Sequence, residues 1–242
     1  MKDSYIFRYI IILVVIVSVL LSGAALLLQP LQQKNINNEK MMMILKAAGV
    51  KDVTKDNVQG LFDKQCEKML VINKNGEITS ECADGDKTKC EAFRINMKDE
   101  LYNKANNKDF SLPMFIINNE GQNISVVPLQ GAGLWGPIWG YLGLSSDYST
   151  VVGAVFDHKS ETPGLGAEIT SVKFQSQFPG KLIIQDGKFV SINVQKGGIA
   201  PLSKEMQKHS VDAISGGTIT SQGVNDMIKN VLESYLPYIE KQ

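Results

Sequence analysis

The residues best suited to chemistry stand near the C-terminus, in Ser215-Gly216-Gly217-Thr218-Ile219-Thr220-Ser221, just ahead of a strongly periodic apolar pattern. Hydroxyl side chains beside two glycines at a helix start suit an anion. The glycines let the backbone approach a ligand closely, and the helix end offers unpaired N–H groups with a partial positive charge, which favour a phosphate. No lysine follows with phosphate-loop spacing, so the segment is not a P-loop. A Ser/Gly cap without ligand fits the same residues.

A second segment, His158-Lys159-Ser160-Glu161-Thr162-Pro163-Gly164-Leu165-Gly166, follows an apolar strand. Pro163 and Gly164 force a turn. That turn exposes backbone N–H groups and the Thr162 hydroxyl; an ordinary strand-to-helix loop is the alternative. A third, Gly131-Ala132-Gly133-Leu134-Trp135-Gly136, has the spacing G-x-G-x-x-G. Pro137, Gly140 and Gly143 follow where a dinucleotide-binding fold needs a helix, which argues against that fold. The loop's tryptophans, Trp135 and Trp139, either border a flat ring system or pack in the core or near a membrane surface.

Other chemistries are poorly supplied. Two histidines and three cysteines without a C-x-x-C pair give little for a zinc site or an iron–sulfur cluster. No G-x-S-x-G occurs, so nucleophilic hydrolysis has no support. Lysine plus arginine equals aspartate plus glutamate, 25 each, which leaves no footprint for nucleic acid. Cys82 and Cys90 either bridge across a short polar loop in an oxidising compartment or stay free thiols.

The elements that must position these segments follow from periodicity. Ile10 to Leu28 is apolar throughout, with no charged residue between Arg8 and Lys34. As a helix it spans about 28 Å, the thickness of a bilayer's hydrocarbon. Leu26-Leu27-Leu28 stand where a signal-peptide cleavage region should turn polar, so a retained anchor is expected. A nine-residue tail with Lys2 and Arg8 favours the tail inside and the rest of the chain outside. Residues 29–38 read as a linker and 39–242 as one domain. Within it, helices are expected at Glu39–Ala48, ending at Gly49, at Lys55–Lys68 and at Ala167–Phe178. Met69–Ile72, Met114–Ile117 with Ile124–Val127, Thr150–Phe156, and Lys181–Ile184 with Phe189–Val194 read as strands and hairpins. Cys82–Asn107 reads as a charged surface loop. The last helix is marked by Val224, Ile228, Val231, Leu232, Tyr235 and Leu236, with Thr220 or Ser221 as its cap and Asp226 in its first turn. The whole is expected to be an α+β domain with a mostly antiparallel sheet and flanking helices.

Asp212-Ala213-Ile214-Ser215-Gly216-Gly217-Thr218 resembles the flavinylation motif D-x-x-(S/T)-G-A-T of bacterial FMN-binding domains, with Gly217 where that family usually has alanine. The ETPGLG core of the second segment is similar to the family's second signature. The Gly131–Tyr141 loop resembles the C subunits of Na+-translocating NADH:quinone reductases; the related G subunits of ferredoxin-linked ion-translocating complexes share the other two motifs. The resemblance covers roughly residues 124–232. It implies FMN esterified through its phosphate to Thr218, and a cofactor site of Ser215, Gly216, Gly217, Glu161, Thr162, Gly164, Leu165 and Trp135. No catalytic acid or base and no metal ligand is implied. Implied partners are the other subunits of a Na+-pumping membrane redox complex, the bilayer, and a flavin transferase that uses FAD and a divalent metal. The implied place is the outer face of the bacterial inner membrane. An anchored assembly module, or a site holding FMN without a covalent bond, is the competing reading.

Overall fold

The computed structural model describes residues 2–242, which divide after Lys40 into two compact units. The N-terminal unit is helical throughout. Helix α1 runs from Lys2 to Ala47; its apolar residues from Ile10 to Leu28 are exposed, and the helix is long and apolar enough to cross a membrane. The expected linker is therefore helical: 29–38 continues α1, with Pro30 inside it. Proline removes one hydrogen bond of the ladder, but Leu31, Gln32, Gln33 and Lys34 are good helix formers. The helix ends as expected at Gly49, whose N–H donates to Lys46 O (3.0 Å) while Val50 N–H donates to Leu45 O (3.0 Å), a paired C-terminal closure.

The unit from Met41 to Gln242 is built on a six-stranded, wholly antiparallel sheet in the order β2-β1-β3-β4-β5-β6. Helix α2 (Val58–Gln65) leads into β1 (Cys66–Asn73) and β2 (Ile78–Cys82). Two short helices, α3 (Glu91–Arg94) and α4 (Met97–Ala105), precede β3 (Ser111–Asn119), β4 (Gln122–Ala132), β5 (Pro137–Leu144) and β6 (Val151–His158). After the sheet come α5 (Val172–Gln175), β7 (Ile184–Gln185), β8 (Lys188–Phe189), β9 (Asn193–Gln195), α6 (Lys204–Gln207), β10 (Ser210–Asp212) and α7 (Thr218–Ile239). Alternation along the strands splits the core in two. Leu112, Met114 and Ile116 of β3 face a cluster with α7's Val224, Ile228, Val231, Leu232 and Tyr235, while Phe115 and Ile117 face one with Ile44, Leu45, Val58 and Phe62. Both faces are covered, so the strands read as continuous apolar runs. Tyr235 pins α7 to the sheet through a hydrogen bond from its hydroxyl to Pro113 O (2.7 Å).

The β3–β4 hairpin is the expected one. Glu120 and Gly121 both have positive φ, the twist-matched two-residue turn. Four other expectations change. Cys66 starts a strand instead of closing a helical face. Cys82–Asn107 is not an irregular loop but carries α3, α4 and a short 3-10 turn at Lys87–Lys89, with Cys82 bridged to Cys90. Ala167–Phe178 is not one helix: a 3-10 turn, Gly166–Thr170, gives way to α5, because the Ser171 hydroxyl accepts from Phe174 N–H and starts a new helix. The 181–194 hairpin is reduced to the β7–β8 pair, and Asn193–Gln195 pairs instead with β10 in parallel.

Two groups in this unit yield predictions. Lys87 is only 7% exposed; its ammonium donates to Asp63 O (2.8 Å), Phe62 O (3.5 Å) and Cys66 O, closing the C-terminus of α2. Lys87→Ala should destabilise the domain by about 2 kcal/mol in urea unfolding, because buried carbonyls lose their donor; an unchanged midpoint would contradict that role. Cys66, free and 2% exposed, has its thiol pushed by burial from 9.0 up to about 12. The folded state holds this proton after the unfolded chain has released it, so stability at this group falls as pH rises from about 9 towards 12. Iodoacetamide at pH 8.5 should leave Cys66 unmodified in the folded protein and alkylate it in urea; fast labelling of the folded chain would contradict the burial.

Candidate functional site

Helix α7 begins at Thr218, with Gly217 as its cap and no side chain closing the turn. Thr220 and Ser221, the expected caps, lie inside the helix and are buried. The Ser221 hydroxyl accepts from Ile214 N–H (3.0 Å), and Thr220 is taken up elsewhere. The first-turn amides of α7 thus have no intrahelical acceptor, and Thr218 stands exposed at their mouth. Asp226 lies beyond this first turn. Gly216 has φ +76°, and a Cβ there would come within 2.6 Å of Leu165 Cδ2, so the Leu165 side chain lies directly over the glycine.

Leu165 is delivered by the ETPGLG turn. Leu165 N–H donates to Thr162 O (3.1 Å), and Gly164 has φ +75°. With Pro163 ahead of it, this is a type II turn, whose third position demands positive φ. Ala167 N–H also donates to Thr162 O (3.2 Å), tightening the loop. The glycine-rich loop is the β4–β5 hairpin, closed by Gly133 N–H to Gly136 O (2.8 Å). A strand follows it, so no dinucleotide-binding helix exists here. The two tryptophans part: Trp135 at the tip is 66% exposed, while Trp139 on β5 packs against the core cluster that holds Phe115 and Tyr141.

These three segments enclose a cleft of about 400 Å3. Thr218, Gly216, Gly217, Glu161, Thr162, Leu165 and Trp135 all line it. Ser215 and Gly164 line a neighbouring cavity of about 360 Å3, together with Asp212. The cleft also takes in residues outside the expected cofactor site: Leu134, Gly166, Ile219 and Thr220, the last expected only as a helix cap. Each sits inside or next to a motif, so adjacency is the signal that points to them. Leu134, Trp135, Leu165 and Ile219 are all large, apolar and exposed, and give the cleft an apolar rim. His158 accepts from Glu161 N–H at Nδ1 (3.2 Å), which commits it to the loop's backbone. Asp212 Oδ1 accepts from Ile199 N–H (2.7 Å), and its own N–H donates to Gln177 Oε1 (2.8 Å).

A family model described as an FMN-binding domain matches residues 133–233, which contain the first two segments and all of the third but Gly131 and Ala132. The C subunit of the Na+-translocating NADH-quinone reductase of Pasteurella multocida is 32% identical over 208 residues, covering 82% of this chain and 78% of that protein. The Chlamydia muridarum C subunit is 35% identical over 150 residues, covering 57% of this chain and 47% of that protein. Among solved structures, the C subunit of Na+-translocating NADH-quinone reductase from Parabacteroides distasonis superposes with TM-score 0.74 at 35% identity, covering 89% of this chain and 98% of that one. Shewanella oneidensis NqrC gives TM-score 0.66 at 26% identity, covering 85% and 98%.

Proposed function

The chain belongs to the family of Na+-translocating NADH-quinone reductase C subunits, and from that premise we propose that it is the flavoprotein subunit that carries FMN as a phosphoester on Thr218 and relays electrons within such a complex. The observation that carries this reading is the place of Thr218: an exposed residue at a helix N-terminus that no side chain caps, lining an apolar-rimmed cleft. The cleft's chemistry fits the cofactor. The α7 amides and their positive end suit the phosphate, and Leu134, Trp135 and Leu165 suit a flat apolar ring.

When bound, FMN supplies the electron-transfer chemistry. Thr218 acts as a tether and needs no acid or base role. Thr162 and Leu165 would flank the ring from the ETPGLG side and Trp135 from the hairpin side, shielding it from water. Ser215, Gly216 and Gly217 let the chain approach the phosphate. The attachment requires a flavin transferase that takes FMN from FAD with a divalent metal, for which Asp212 is a candidate recognition point. The relatives named above favour the quinone-reductase complex over the ferredoxin-linked one. Helix α1 anchors the chain in the inner membrane. The Cys82–Cys90 bridge suits an oxidising compartment and, with the basic tail, supports the domain on the outer face. A single span without internal charge offers no ion path of its own, so sodium movement belongs to the assembled complex.

The test is a denaturing gel of chain coexpressed with its transferase. A fluorescent flavin band that survives denaturation is expected. Colour released on denaturation would replace the ester with noncovalent binding, and a colourless chain would leave an assembly module.

A further inference from the structure

One carboxylate joins all three walls of the cleft. Glu161 is only 5% exposed. Its Oε1 accepts from Trp135 N–H (2.8 Å) at the hairpin tip, and its Oε2 accepts from the Thr220 hydroxyl (2.5 Å) in the first turn of α7. Its own N–H is held by His158 Nδ1, and the neighbouring Ser160 hydroxyl donates to Trp135 O (2.9 Å). Burying a carboxylate is costly unless it is well hydrogen-bonded, and here the two oxygens serve two different elements. The surroundings are shaped to it as well. A Cβ on Gly133 would come within 2.6 Å of Oε1, and one on Gly166 would fall on Oε2 and on the Thr220 hydroxyl. Trp135 has little packing of its own, so backbone bonds must set its position.

We propose that Glu161 is the positioning residue of the cleft: it ties the Trp135 wall to the first turn of α7, and so fixes the gap between that wall and the Thr218 tether in which the flavin ring is held. This rests on the flavin reading given above, but the tie itself exists without flavin. Its position near the N-terminus of α7 is also favourable for a negative charge. Because this carboxylate bonds both Thr220 and Trp135, loosening either end should loosen the same loop.

The test therefore has one arm without cofactor. In the full-length chain with W139F, which leaves Trp135 as the single indole, and with T218V, which removes the acceptor, time-resolved anisotropy reports the motion of Trp135. T220V and E161A should each raise the fast depolarising amplitude about two-fold, and the double variant should add little to E161A alone, as expected of residues acting in one network. E161Q should be milder, since its amide oxygen still accepts from Trp135 N–H. With Thr218 intact and flavin attached, T220V and E161A should make the flavin more accessible to iodide quenching and shift its midpoint potential. If E161A fails to fold by circular dichroism, T220V and E161Q carry the comparison. Trp135 motion unchanged in T220V, or additive effects in the double variant, would overturn the proposal. A wild-type chain that takes no flavin would instead remove the flavin reading and leave the anisotropy arm to decide the tie.

Discussion

Thr218→Val is expected to yield a folded chain with no covalently bound flavin. Valine keeps the shape of threonine and removes only the hydroxyl, at an exposed first position of α7 where the residue closes no turn. The cost in stability should stay within about 0.5 kcal/mol. Loss of the flavin, in contrast, should be complete, because without the hydroxyl no ester can form. Thr218→Ser keeps an acceptor and should retain attachment at reduced yield, since serine lacks the methyl that restricts the side-chain rotamer. Urea unfolding together with intact mass separates the two effects. A valine variant that still carries one covalent flavin would move the acceptor to Ser215 or another nearby hydroxyl.

The second large effect belongs to the scaffold. Gly143 on β5 pairs with Gly153 on β6, and both lie under the carbonyl of Ala47. A Cβ on Gly153 would come within 2.6 Å of that oxygen, and one on Gly143 would overlap it. The paired glycines form a saddle on which the last turn of α1 rests, with Ile44, Leu45 and Ala47 buried around it. Gly143→Val should therefore force the helix end away from the sheet. Overpacking against a backbone atom has no flexible side chain to give way, so a loss of about 3 kcal/mol is expected, read as a fall in the thermal midpoint of about 6–12 °C. A change within about 1 kcal/mol, the range of a tolerated core swap, would mean that the helix end is free to move.

The contrast between these two sites explains what could be read from sequence. Thr218, Gly216, Leu165 and the ETPGLG turn are local features. The Pro-Gly turn is set by a few neighbouring residues and lies where it is expected, whereas α7 starts at Thr218, ahead of the expected caps Thr220 and Ser221. The β3–β4 hairpin and the antiparallel order are legible for the same reason. The partnership of Glu161 with Thr220 is not: it joins residues 59 apart in the chain, and a hydroxyl at a helix start reads equally well as a cap. The 82–107 region reads as a loop because its helices are short and charged. Their order comes from tertiary ties, the Lys87 closure of α2 and the Cys82–Cys90 bridge. Residues 29–38 read as a linker because polar side chains and Pro30 suggest a break, yet helix propensity carries α1 through them.

The most direct measurement is tandem mass spectrometry of the peptide containing Ser215 to Ser221, prepared from chain purified out of its native membrane. The account predicts one FMN on that peptide, less the water lost in the ester, with fragment ions assigning it to Thr218. An unmodified peptide from flavin-containing membranes, or flavin assigned to Ser215 or Ser221, would contradict it.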